Sequence, residues 1–169
     1  MHTKLPKYLN FTRIADKGGE IQGKWPISEL PRLKELLVND AGEVEVEMKL
    51  GRQGKFRYVT GTIAGMLAVT CQRCMQPMDL PLNTEFKLAL VQTEEQADQL
   101  PDEFEPLLAD EDKISVPDLL EEEMLLAIPL VALHDTDCSD YLLEQKKWQA
   151  ENESVQEKKN PFSVLKDLI

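Results

Sequence analysis

The stretch that decides the fold is Glu43–Thr70, EVEVEMKLGRQGKFRYVTGTIAGMLAVT. Its first eight residues alternate. Val44, Val46, Met48 and Leu50 point one way; Glu45, Glu47 and Lys49 point the other. Successive side chains leave a pleated backbone on opposite sides, so this pattern marks a strand with one buried face. Gly51 and Gly54 in GRQG suit a tight reversal. A second strand is predicted from about Phe56 to Thr70, where Gly61 and Gly65 are expected to admit a bulge or a sharp bend. A third follows, because Leu80, Leu82, Phe86, Leu88 and Leu90 share one parity. Three consecutive antiparallel strands form a meander, and helices are the natural cover for its apolar face. The expected class is α+β: an antiparallel meander or small barrel-like sheet packed with a few helices, with an acidic loop and a polar C-terminal tail.

The clearest helix is ISVPDLLEEEMLLAIP, residues 114–129. Ser115 can cap it, Pro117 suits its first turn, and Asp118 sits well near the positive helix end. Leu119, Leu120, Met124, Leu125 and Ile128 give a wide apolar face. Glu121, Glu122 and Glu123 are spread by about 100° each around the axis, so they cannot converge on one ion. They read as a solvated face. A shorter helix is expected in PISELPRLKELL, residues 26–37, with Ser28 as cap and Pro31 in the first turn. Thr93–Lys113 is polar and acidic and reads as a surface loop, with a helical turn at Glu94–Gln99. After Asp140 a flexible linker or frayed helix leads to NPFSVLKDLI, where Asn160 can cap and Phe162, Leu165, Leu168 and Ile169 recur at helical spacing. The expected organisation is one α+β domain over residues 1–140, then a polar linker with a short amphipathic helix over 141–169.

The composition, 42% hydrophobic and 30% charged over 169 residues, is that of a globular protein with a wet surface. The start MHTKLPKYLNF lacks a signal-like apolar run and no stretch is long enough to span a membrane, so a cytoplasmic protein with reduced thiols is expected. The net charge of −12 is unevenly placed. Residues 1–70 carry 11 basic and 8 acidic side chains; residues 71–169 carry 8 basic and 23 acidic. Phosphate backbones are bound mainly through Lys and Arg. The second half should therefore repel bulk nucleic acid and attract basic partners.

Cys71-Gln-Arg-Cys74 has the spacing of a zinc knuckle. A structural zinc needs two more ligands, and His134 and Cys138 in HDTDC are the available pair. The four residues would form a Cys3His site, with zinc as its cofactor; Asp135 and Asp137 offer alternative oxygen ligands. Free thiols that never meet metal are the other reading. A redox pair of the thioredoxin kind is disfavoured, because no helix follows the second cysteine to lower a thiol pKa. KGGE and GRQG lack the spacing of nucleotide-binding loops, and no nucleophile elbow is present. Neither an enzyme nor a small-molecule substrate is expected.

The order of these blocks carries more. An alternating hairpin, then CQRCMQP, then DLLEEEMLLAIPLVALHDTDC, then NPFSVLKDL resembles the YceD family, named for large ribosomal RNA subunit accumulation. The likeness runs from about Leu30 to the C-terminus. The resemblance implies a non-enzymatic role in the synthesis, processing or stability of large-subunit (23S) ribosomal RNA, in the cytoplasm. Family genes often lie beside one for a small basic large-subunit ribosomal protein, which implies that protein as a partner. Some relatives carry further cysteines after the helix; only Cys71, Cys74, His134 and Cys138 carry over here. With the charge distribution, the expected mechanism is an acidic adaptor in large-subunit assembly. Glu121, Glu122 and Glu123, with Phe162 and Leu165 in the tail, are its candidate partner-binding residues, and a basic ribosomal or assembly protein is the partner. The alternative is direct binding of ribosomal RNA through Arg52, Lys55 and Arg57 at the hairpin tip, with Arg73 beside them.

Overall fold

The computed structural model describes residues 4–109 and 112–152, and the chain falls into two units, Met1–Leu133 and His134–Ile169. The first unit runs β1 (Tyr8–Asn10), α1 (Phe11–Ala15), β2 (Gly19–Pro26), a 3-10 turn (Ile27–Glu29), α2 (Pro31–Lys34), β3 (Glu43–Gln53), β4 (Phe56–Thr70), β5 (Pro77–Val91), α3 (Glu94–Ala97), β6 (Glu105–Leu108), β7 (Lys113–Ser115) and α4 (Val116–Ala127). The second contains α5 (Asp140–Asn152), whose Tyr141 and Trp148 are both exposed. The tail motif with Phe162 and Leu165 lies outside the described residues.

The fold is α+β. The main sheet has the order β2-β3-β4-β5-β6, and β1 pairs with β7 in a separate two-stranded sheet. The predicted meander is its centre. Val46 stands opposite Ile63 and Leu50 opposite Val59, and Val59 stands opposite Leu88. β6 adds in parallel to the end of β5. The sheet stays open rather than barrel-like. Closure would need β2 to meet β6, but Lys24 of β2 bridges to Lys4 on its outer side, and β6 offers four residues.

The alternating face is buried, as its pattern demands: Val44, Val46, Met48 and Leu50 are all in the core. α1 packs on β3 and β4, α4 against β5, and α2 against α4. Phe11, Trp25, Leu33, Ile63, Leu120 and Met124 fill the space between. Full burial of each such side chain is worth about 1.5–3 kcal/mol. On the opposite face, β2 and β3 exchange ion pairs, Lys49–Glu20 at 3.2 Å and Lys24–Glu45 at 2.9 Å. At the far end of that face the Phe104 ring meets Phe56 and Tyr58, with centroids 5.3 and 5.4 Å apart.

Several expectations are corrected. β4 contains no bulge at Gly61 or Gly65, because both of its ladders run unbroken past them. The glycines make room instead. A Cβ on Gly61 would run into the Phe86 ring and lie 2.6 Å from the Glu47 carbonyl oxygen. One on Gly65 would lie 2.8 Å from Val44 Cγ1. The 26–37 helix is two short pieces and Ser28 caps neither, since Pro31 keeps Leu30 out of the helical region (φ −112°, ψ 89°). The acidic loop holds α3, capped by Thr93, and the strand β6. Ser115 takes the position before α4 but makes no side-chain cap bond.

Candidate metal centre at the cysteine turn

β4 and β5 are joined at one end by the segment Cys71–Gln76. The Cys71 N–H donates to the Gln76 carbonyl at 2.9 Å, and the Met75 N–H to the Cys71 carbonyl at 2.9 Å. Met75 takes a left-handed conformation, φ 60°. That conformation disfavours any residue with a Cβ, so the turn is held by what surrounds it. Gln72 supplies part of the hold. Its backbone N–H donates to the Ala132 carbonyl at 2.8 Å, and its side-chain Nε2 donates to the Leu130 carbonyl at 3.0 Å. These two bonds stitch the chain that follows α4 onto the cysteine turn, two residues before His134.

The ligand atoms of Cys71, Cys74, His134 and Cys138 lie within 4.8 Å of one another. Cys71 is fully buried and the other three are half-buried. Three thiols and one imidazole suit a soft tetrahedral ion. Zinc–sulfur bonds of about 2.3 Å put donors roughly 3.8 Å apart, so a modest contraction of the observed group would close the shell. The protein therefore carries a Cys3His group able to hold a metal ion.

The other predicted site residues fall into separate places. At the hairpin tip, Gln53 pairs with Phe56, so Gly54 and Lys55 form the turn, with Gly54 at φ 59°. Arg57 is held by Asp16 through two hydrogen bonds, Nε–Oδ1 at 2.9 Å and Nη2–Oδ2 at 3.0 Å. The Arg57 guanidinium holds the Asp16 carboxyl below its ordinary range. Arg52 lies 3.9 Å from the same carboxylate, while Lys55 is exposed. Arg73 is not beside them. It sits past the other end of the 15-residue β4, roughly 45 Å away at about 3.3 Å per residue. The four cations therefore make no single patch.

The three glutamates also separate. Glu121 is 4% exposed, contrary to the solvated face expected of it. Its Oε1 accepts the backbone N–H groups of Arg32 at 2.7 Å and Leu33 at 3.0 Å. It thus caps α2, whose own N-terminal residue has no side-chain cap. A buried carboxylate with two such bonds has a structural role. Glu122 is exposed and 3.6 Å from Arg32 Nη1. Glu123 is half-buried, and burial first, then the carboxylates of Glu105 and Glu122, push its pKa up. The residue that sequence reasoning overlooked is Gln72: it lies inside the cysteine motif, but its partners are 58 and 60 residues away.

An open α+β sheet with a Cys3His group at one strand end is the class of protein that these features define. Residues 59–169 match the family described as large ribosomal RNA subunit accumulation protein YceD. The large ribosomal RNA subunit accumulation protein YceD of Haemophilus influenzae (strain ATCC 51907 / DSM 11121 / KW20 / Rd) is 29% identical over 167 residues, covering 98% of this chain and 96% of that protein. The chain belongs to the YceD family, whose name indicates involvement in large ribosomal RNA subunit accumulation. No solved structure matches it. Among the described residues no helix is long and apolar enough to cross a membrane.

Proposed function

We propose that this protein is a non-enzymatic, cytoplasmic factor that promotes the synthesis, processing or stability of large-subunit (23S) ribosomal RNA. In this reading it acts as an acidic adaptor that holds a basic ribosomal or assembly protein. The observation that carries the reading is the charge division. Residues 71–169 hold 23 acidic side chains against 8 basic ones, which disfavours extensive contact with phosphate and favours cationic protein. The competing reading is direct RNA binding through Arg52, Lys55 and Arg57. The pairing of Arg57 with Asp16 and the distance to Arg73 weigh against it.

A pull-down from ribosome-containing lysate, with and without nuclease, tests the choice. A basic protein retained after nuclease supports the adaptor. Tight, steeply salt-dependent binding of isolated large-subunit RNA fragments, lost on charge reversal of Arg52, Lys55 and Arg57, overturns it.

We further infer that the Cys3His group holds one structural zinc, which ties the cysteine turn to the chain after α4. Metal analysis of protein purified reduced and without chelator should find about one zinc per chain; none at all overturns the assignment.

A further inference from the structure

Four large aliphatic side chains stand in solvent on one short stretch of the first unit. Leu126 is 76% exposed, Leu130 96%, Val131 58% and Leu133 41%. Single exposed leucines need no explanation, but a contiguous group does. The stretch is also not loose. Ile128 closes α4 with a bond to the Met124 carbonyl, Gln72 pins the carbonyls of Leu130 and Ala132, and Ala132 is turned into the core at 5% exposure. The backbone is thus fixed with its large side chains outward, which removes part of the ordering cost of binding. Glu122, which also faces Arg32 at 3.6 Å, and Glu123 lie one turn before Leu126, so carboxylates stand beside the start of the strip on the same helix face.

We propose that this strip docks a basic amphipathic segment of a protein partner, with aliphatic side chains on Leu126–Leu133 and cations against Glu122 and Glu123. The proposal rests on the adaptor reading above and gives it a surface. An RNA or an anionic membrane would bring phosphate against carboxylates and offers no match for the aliphatic strip. A second copy of the chain would bring a net charge of −12 against its equal. Burial first, and then the carboxylates of Glu105 and Glu122, push up the Glu123 pKa; an incoming cation would offset the carboxylate part.

The test passes RNA-free total protein from purified large ribosomal subunits over the immobilised full-length chain. Retained proteins are identified, and the affinity of each is measured with the purified component. An identified basic protein should bind, and Leu130→Asp with Val131→Asp should weaken it at least about tenfold. Glu122→Lys with Glu123→Lys should weaken it too and flatten its salt dependence. Arg52→Glu with Lys55→Glu should bind it like the parent. Matching thermal midpoints confirm that the Leu130/Val131 variant is folded. Unchanged binding by both the aspartate and lysine variants overturns the strip while leaving the adaptor reading intact. Retention of no basic protein by the parent chain, from this mixture or from the RNA-free protein of assembling large-subunit particles, overturns both. Self-association of the parent, abolished by Leu130→Asp with Val131→Asp, assigns the strip to a second copy and overturns the proposal.

Discussion

The two ends of β4 are both turns, and each contains a residue with φ near 60°. They are otherwise opposites. The Gly54 end closes mainly through its own residues, a two-residue turn and an Arg52 Nε bond to the Gly54 carbonyl at 3.1 Å, with one exposed tie from further off, Arg57 to Asp16. The Met75 end has two backbone bonds of its own and is further held from afar, by the Leu130 and Ala132 carbonyls beyond α4. A local turn depends on its own residues, whereas the cysteine turn depends on the rest of the fold. That contrast gives graded expectations.

The largest effect should come from unmaking the Cys3His group, if it holds the proposed zinc. Cys71→Ala with Cys74→Ala, or a strong zinc chelator, should lower the thermal midpoint by roughly 10 °C, read by calorimetry. An unchanged midpoint in the cysteine variant would make the two ends equivalent. The next pair of changes swaps the turn residues. Gly54→Ala should cost about 1 kcal/mol, since it places a Cβ in the left-handed region. Met75→Gly should gain a few tenths to about 1 kcal/mol by removing one. Urea midpoints measure both, and shifts of the same sign would break the comparison. Gln72→Ala should cost about 0.5–1.5 kcal/mol, because one side-chain hydrogen bond is lost while the backbone bond to Ala132 remains.

The smallest effect belongs to the exposed pair at the hairpin tip. The Asp16 carboxyl, hydrogen-bonded by Arg57, titrates below its ordinary 3.8 in the folded chain. Its stabilisation is therefore complete above that pH and is lost as pH falls through the depressed value. Asp16→Asn should remove that increment at neutral pH and leave a shallower acid limb in stability measured against pH.

The same contrast explains what the sequence revealed. β3, β4 and β5 were legible because alternation is a local signal repeated many times. β2 was not, because GEIQGKWP offers only Ile21 and Trp25 on its apolar parity. β6 was hidden because EPLL is four mostly exposed residues inside an acidic stretch, recruited by the edge of β5. The Cys3His group was legible as residue types, since few side chains can bind a soft ion. The roles of Gln72 and Glu121 were not. Nothing local distinguishes Glu121 from Glu122 and Glu123; what separates them is the pair of unsatisfied N–H groups on α2, 88 and 89 residues earlier.

The hollow that Gly61 leaves for the Phe86 ring has a consequence for how this chain can change over generations. The two positions are not equally free to vary. Alanine at 61 meets not just a ring that a smaller residue at 86 would withdraw, but also the Glu47 carbonyl oxygen at 2.6 Å, which no partner change removes. Drift at this crossing should therefore be one-sided: Phe86 can shrink at the cost of a cavity, while Gly61 stays glycine.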